Sequence, residues 1–271
     1  GMITDAIWDD FNNDGATDLI VIGEWMAPKF FKNENGKFIE EQVINGELNG
    51  LWQSITAFDI DNDGDKDYLL GNWGTNTKFK ASQKFPMKMY YSDFDSNGST
   101  ETIVCIEKEG KYYPLLNFDD LSSQIVSLKK KFLSYKDFAG KPIEVVFEDK
   151  ILDKASVLLV QELHSGYLRN DNGKFSFVPF KNELQVSPIT CFLKYDFEKD
   201  GKVEVLAAGN YFGVTPFHGR SDSFPGALIK SENNIVLGNK LGLHLSNKAS
   251  KYLNIISQNN KTYLLVTINN D

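Results

Sequence analysis

Residues 58–72 read FDIDNDGDKDYLLGN. Five aspartates (Asp59, Asp61, Asp63, Asp65 and Asp67) fall within nine residues around Gly64, and an apolar run follows at once. Carboxylates ~4 Å apart repel by about 1 to 4 kcal/mol per pair, depending on screening. Such a turn calls for a cation among its side chains.

The frame recurs. DDFNNDGATDLIVIG (9–23) places Asp10, Asn12, Asp14 and Asp18 as Asp59, Asp61, Asp63 and Asp67 are placed around Gly64. SDFDSNGSTETIVC (92–105) repeats it with Asp93, Asp95, Asn97 and Glu101. YDFEKDGKVEVLAAGN (195–210) gives a fourth version with Asp196, Glu198, Asp200 and Glu204. The pattern is acid-x-acid-x-acid-Gly-x-x-acid, with Asn twice replacing an acid. Positions 1, 3 and 5 direct side-chain oxygens into one turn, and position 7 (Ala16, Asp65, Ser99, Lys202) offers a backbone carbonyl. Position 9 closes the cage with a carboxylate. An all-oxygen cage of high, adaptable coordination number suits Ca²⁺ better than Mg²⁺, which demands octahedral geometry and keeps its water. No EF-hand is implied, because position 9 runs straight into a strand. A plain acidic turn uses the same residue types; recurrence in one context argues against that reading. The loop at 196–204 is expected to bind weakest, given the longer Glu198 and the nearby Lys199 and Lys202.

The ligand positions hold 14 of the chain's 37 acids. The rest of the chain therefore carries more bases than acids, and the net charge of −8 is concentrated in the loops. That balance argues against a nucleic-acid partner, which needs clustered Lys and Arg; Lys129, Lys130 and Lys131 read as one solvated helix face. No apolar run approaches the ~20 residues of a membrane span. Cys105 and Cys191 sit in apolar strand-like runs and are expected to stay unpaired. Gly1 precedes Met2 as a trimmed tag would leave it, so the chain is expected to be a piece of a longer protein with other domains.

Internal repetition sets the fold class as all-β. The first two loop glycines are separated by about the length of a four-stranded propeller blade. Residues 1–44 parse as one such blade, with a hairpin turn at Asn35-Gly36; YLRNDNGKFSFV (167–178) repeats that hairpin. A second blade starts at QSITAF, its outer strands taken from PMKMYYSDF and TETIVCIE, so that the third loop joins outer strands. In 119–138, Leu121, Ile125, Leu128 and Phe132 recur at helical spacing, with Asp119 or Asp120 as cap; a shorter helix follows around 149–155. The expectation is a β-propeller of five or six blades over 1–271, whole or as a fragment, with a helical insertion at 117–156 between blades.

At this point the residues carry a family resemblance. The loops resemble the FG-GAP (or VCBS) repeats of integrin-like β-propellers. GNWGTNTKFKAS (71–82), LKKKFLSYKDFAG (128–140) and LAAGNYFGVTPFHGRSD (206–222) are similar to the C-terminal part of a bacterial FG-GAP family found beside ASPIC/UnbV modules in Bacteroidetes surface proteins. The resemblance covers roughly 5–240. It implies a propeller, bound calcium and an extracellular or cell-envelope location, at the outer-membrane surface or in the periplasm, and no established reaction. Glu198, Lys202, Ser221 and Phe224-Pro225 depart from the family pattern.

No G-x-S-x-G elbow, H-E-x-x-H or P-loop is present. The remaining polar cluster pairs GNWGTN with GNYFGV and HGRSD: Asn72, Trp73, Asn76, Asn210, Tyr211, His218, Arg220 and Asp222 are candidates for a protein or glycan ligand on the propeller face. Gly-Asn steps also serve as plain turns and blade-to-blade hydrogen bonders. A binding, adhesion or scaffold module without catalysis is the leading expectation. A carbohydrate-active enzyme, a polysaccharide lyase or glycosidase working on the central face, is the alternative.

Overall fold

The computed structural model describes residues 1–214 and 219–269. Strands make up 45% of the chain and helices 11%, so it is mostly β, in several antiparallel sheets. Where one domain was expected, packing divides the chain into two compact units: 1–78 with 163–271, and 79–162.

The first unit opens with β1 (Met2–Asp9), β2 (Asp18–Met26), β3 (Lys29–Glu34) and β4 (Lys37–Glu41), paired in sequence order as an antiparallel meander. The continuous apolar run LIVIG becomes β2, buried on both faces, whereas β4 is exposed along its whole length. Charged residues on that edge discourage further strand pairing. Asn35 and Gly36 adopt φ of 55° and 88° in the β3–β4 turn, the left-handed pair that a two-residue hairpin demands. The short β5 (Gly50–Leu51) pairs with the end of β2. Next come β6 (Ser54–Phe58) and β7 (Asp67–Gly71).

The chain then enters the second unit. There β8 (Met87–Ser92), β9 (Glu101–Lys108), β10 (Lys111–Pro114) and β11 (Ser156–Val160) form a sheet in the order β10-β9-β8-β11. Thus PMKMYYSDF and TETIVCIE are not outer strands of the second blade. They are the two central strands of this separate sheet, and the 93–101 loop joins them. The physical reason lies in their burial: β9 alternates buried Glu101, Ile103 and Cys105 with more open neighbours. Such a strand has one apolar face to cover, while a central blade strand must bury two. Helices supply the cover through Leu121, Ile125, Leu128 and Phe132, which share one buried cluster with Ile103 and Cys105.

Helical periodicity was right for these residues, but the helix is broken. It runs as α1 (Phe118–Gln124), α2 (Leu128–Lys131) and α3 (Tyr135–Phe138), followed by α4 (Ile143–Val146) and α5 (Asp149–Leu152). Phe138 joins the same cluster and lies six residues past Phe132, off the stripe of a straight helix; breaking the helix buries both. Asn117, not Asp119 or Asp120, caps α1 by accepting from the Asp120 N–H.

Back in the first unit, β12 (Gly166–Asp171) and β13 (Lys174–Pro179) complete the β6–β7 sheet in the order β13-β12-β7-β6. A third sheet follows: β14 (Ile189–Tyr195), β15 (Glu204–Gly209), β16 (Ala227–Ser231) and β17 (Asn234–Leu237), then the hairpin β18 (Ser250–Gln258) and β19 (Lys261–Ile268). Among the described residues this unit holds one five-stranded sheet, two four-stranded sheets and one hairpin, fewer than five or six blades. Strand alternation knits them. On β7, Tyr68 and Leu70 face Phe30, Trp52 and Phe175 on the first-sheet side, while Leu69 faces Ile189, Val205 and Phe224 on the third-sheet side. On β15, Val205 and Ala207 face one way, and Leu206 and Ala208 pack toward Leu253 of β18. The first strands β1, β6, β14 and β18 are successive neighbours.

Cys105 and Cys191 are free and buried, as expected. Burial pushes both thiols up to about 12, so neither is a reactive thiolate.

Candidate metal centre

All four acidic loops fold alike. The position-1 carboxylate accepts from the backbone N–H groups of positions 5 and 6: Asp10 from Asp14 and Gly15 (3.1 and 2.8 Å), Asp59 from Asp63 and Gly64 (3.2 and 3.1 Å). Asp93 accepts from Asn97 and Gly98 (3.0 and 2.9 Å), and Asp196 from Asp200 and Gly201 (3.1 and 2.9 Å). The position-5 oxygen accepts from the position-7 N–H, so Ala16, Asp65, Ser99 and Lys202 all act through the backbone. The wrap requires left-handed residues at position 6 and also at position 4, where Asn13, Asn62, Ser96 and Lys199 have φ of 56°, 63°, 61° and 58°. Asn tolerates that region better than most residues, a signal the glycine alone did not convey. A Cβ on Gly64, at φ +99°, would meet nothing within 4 Å. Gly64→Ala should therefore cost about 1 to 2 kcal/mol through backbone strain alone, read as a lowered urea midpoint with unchanged m.

Position 9 is the buried acid. Asp18, Asp67, Glu101 and Glu204 are almost wholly enclosed, and each accepts from the position-2 N–H: Phe11 at 3.3 Å, Ile60 at 3.0 Å, Phe94 at 3.0 Å and Phe197 at 2.8 Å. In the first two sheets its second oxygen reaches the outer hairpin, where Asp18 accepts from Asn33 N–H and Asp67 from Asn170 N–H, both at 2.8 Å. Asn33 and Asn170 in turn donate to Thr17 O and Lys66 O and accept from Gly36 and Gly173. The shared hairpin strings NENG (33–36) and NDNG (170–173) were the sequence trace of this tie.

The loops differ in how their acids gather. Asp59, Asp61 and Asp67 bring carboxylate oxygens within 4.8 Å of one another, as do Asp93, Asp95 and Glu101, and Asp196, Asp200 and Glu204. These clusters can hold a metal ion. Among the described residues, Asp10, Asp14 and Asp18 form no such trio, although their loop was expected to be well formed. Asn12 instead accepts from Asp14 N–H. Glu198 does not enter its cage; it pairs with Lys230. Asp61 Oδ1 and Asp95 Oδ1, both at position 3, are buried without a hydrogen-bond partner. Burial pushes the Asp67 carboxyl up to about 6, with the charges of Asp61 and Asp63 adding to it. Burial, then Asp63, also raises Asp61. Crowded, desolvated carboxylates with orphaned oxygens fit a hard cation.

Residues 10–70 match the FG-GAP-like repeat. This repeat starts at the first acid of the first loop and ends within β7, so it spans two of the acidic loops and the hairpin between them. No curated protein matches the chain. No helix among the described residues is long and apolar enough to cross a membrane.

Beyond the repeat, the candidate ligand cluster divides. Asn72 and Asn210 are fully buried. Asn72 Oδ1 accepts from Leu51 and Trp73 N–H (3.3 and 2.8 Å), and its backbone bonds Ser165 and Ile189. Asn210 Nδ2 donates to the carbonyls of Phe224, Leu245 and Lys248, and its Oδ1 accepts from Phe224 N–H. Both are structural latches that join sheets. Asn76 donates to Val186 O. Trp73 and Tyr211 meet edge to face at 5.3 Å. Arg220 lies 3.9 Å over the Phe212 ring and 3.5 Å from Asp222 Oδ2. His218 lies outside the described residues. A separate hollow of about 610 Å³ opens beside β1, β6 and β14, lined by Trp8, Asp9, Phe58, Lys66 and Lys194 among others.

Proposed function

We propose that the chain is a calcium-binding module of β-propeller type, part of an exported or cell-surface protein, with a binding or adhesion role and no catalysis. The observation that carries calcium is the pair of buried, unpartnered oxygens, Asp61 Oδ1 and Asp95 Oδ1, each inside an all-oxygen cage. Asp59, Asp61, Asp67, Asp93, Asp95, Glu101, Asp196, Asp200 and Glu204 would hold the ions. Propeller architecture is supported by three antiparallel sheets, each with a four-stranded path, whose first strands adjoin in sequence order. The FG-GAP-like repeat favours an extracellular or envelope location.

The ligand face, for a protein or glycan, is assigned to the hollow around Trp8, since Asn72 and Asn210 are consumed by the fold. An exposed indole beside lysines offers a stacking surface and a charge. The two acids there are already engaged: Asp9 is ion-paired to Lys66 and accepts from Tyr68 Oη, and Asp59 accepts two backbone N–H groups. That arrangement favours binding over glycoside cleavage. Calorimetric titration of chelator-treated protein should show Ca²⁺ uptake with Kd at or tighter than ~10⁻⁴ to 10⁻³ M, the range of extracellular modules. Absence of uptake would overturn the calcium reading.

A further inference from the structure

Three of the four loops are faced by a basic side chain at one fixed register. Position 9 begins its strand, and in the first unit the residue after it pairs across to the next strand: Leu19 with Phe31, Tyr68 with Leu168, Val205 with Ile229. The residue following each partner is Lys32, Arg169 or Lys230. Each reaches an acid of its loop: Lys32 Nζ lies 3.5 Å from Asp14 Oδ2, Arg169 Nε lies 3.4 Å from Asp61 Oδ2, and Lys230 pairs with Glu198. The contacted acids are at positions 5, 3 and 3, all cage positions.

The second unit breaks the rule. Thr102, which follows Glu101, pairs with Tyr91 of β8, and β10 reaches β9 only as far as Cys105. Among the described residues no base pairs with Asp93, Asp95 or Glu101, and Asp95 Oδ1 has no partner.

We propose that Lys32, Arg169 and Lys230 are tethered counter-cations that weaken calcium binding at the three loops of the first unit, leaving the 93–101 loop as the tightest site. This rests on the calcium reading above. A fixed positive charge beside a carboxylate satisfies part of what the ion would satisfy and repels the ion itself. At Asp61 the guanidinium holds one oxygen and leaves the other for metal. At the fourth loop, Lys230 draws Glu198 out of the cage, so the remaining trio binds with one carboxylate fewer. The same charges neutralise the loops when calcium is scarce, which lets the first unit keep its sheets without the ion.

The test is a calorimetric Ca²⁺ titration of the full chain after chelation, comparing the parent with Lys32→Gln, Arg169→Gln and Lys230→Gln. Each substitution should tighten one class of site about tenfold, the effect of removing a unit charge near a divalent ion in a largely solvated setting. It should also widen the gap in melting temperature between Ca²⁺ and chelator. Asp95→Asn should delete the tightest class in the parent. Arg169 also bonds Tyr167 Oη and Glu232, so its variant tests folding as well as charge; Lys230, which pairs with Glu198 beside the gathered Asp196, Asp200 and Glu204, keeps the test decisive. If the parent takes up calcium and the Lys32 and Lys230 variants bind it no more tightly, the counter-cation role is wrong and the calcium reading stands. If loss of Asp95 leaves the tightest class intact, the ranking of the loops is wrong. If the parent takes up none, both fall.

Discussion

Asp67→Ala should lower the melting temperature by about 10 °C in chelator and by more in calcium, where the bound ion's contribution is lost as well. The carboxylate is buried and accepts from two donors belonging to different parts of the second sheet, Ile60 N–H in the loop and Asn170 N–H in the outer hairpin. Leaving two enclosed N–H groups unpaired costs about 2 to 6 kcal/mol, and for a unit of this size each kcal/mol shifts the midpoint by roughly 2 to 4 °C. Asp61→Ala is the contrast. It removes Oδ1, which has no partner within the protein, and Oδ2, whose ion pair is with the partly exposed Arg169, so its effect should fall mainly on the calcium-loaded state, where bound ion stabilises by RT ln(1 + [L]/Kd). Thermal melts of both variants in each condition separate the roles. A parent-like melt of Asp67→Ala in chelator would show that position 9 serves the metal alone and does not clip the sheet.

Asn210→Ala should destabilise the protein by about 3 kcal/mol, from two donated and one accepted hydrogen bond at roughly 1 kcal/mol each, while leaving calcium affinity unchanged. Its two amide hydrogens are shared among three carbonyls, and its Oδ1 accepts from one N–H. Asn210 also holds φ at +81°, a conformation Asn bears better than Ala. Denaturant unfolding measures the stability and titration the affinity. Weakened calcium uptake at unchanged stability would contradict the latch assignment. Asn72 performs a comparable service, its Oδ1 accepting from Leu51 N–H of the first sheet and its backbone carbonyl from Ile189 N–H of the third.

What the sequence determined by itself was local. Each acidic loop closes over nine residues with bonds between positions 1 and 6, so Asp59 and Gly64 specify their turn wherever the chain goes next. The Asn35-Gly36 and Asn172-Gly173 hairpins were legible for the same reason, and so was the apolar stripe of Leu121, Ile125, Leu128 and Phe132. Tertiary structure decided partnership. Tyr68 pairs with Leu168 across the whole second unit, because β12 can fill both faces of that slot and β9 can fill only one. Partnership in turn decided charge: Arg169 reaches Asp61, and Lys230 takes Glu198, only once those strands are in register. It also decided that Asn72 and Asn210 would be spent inside the fold. A Gly-Asn step reads the same whether its amide faces solvent or three buried carbonyls, since burial belongs to the neighbours that packing brings and not to the residue.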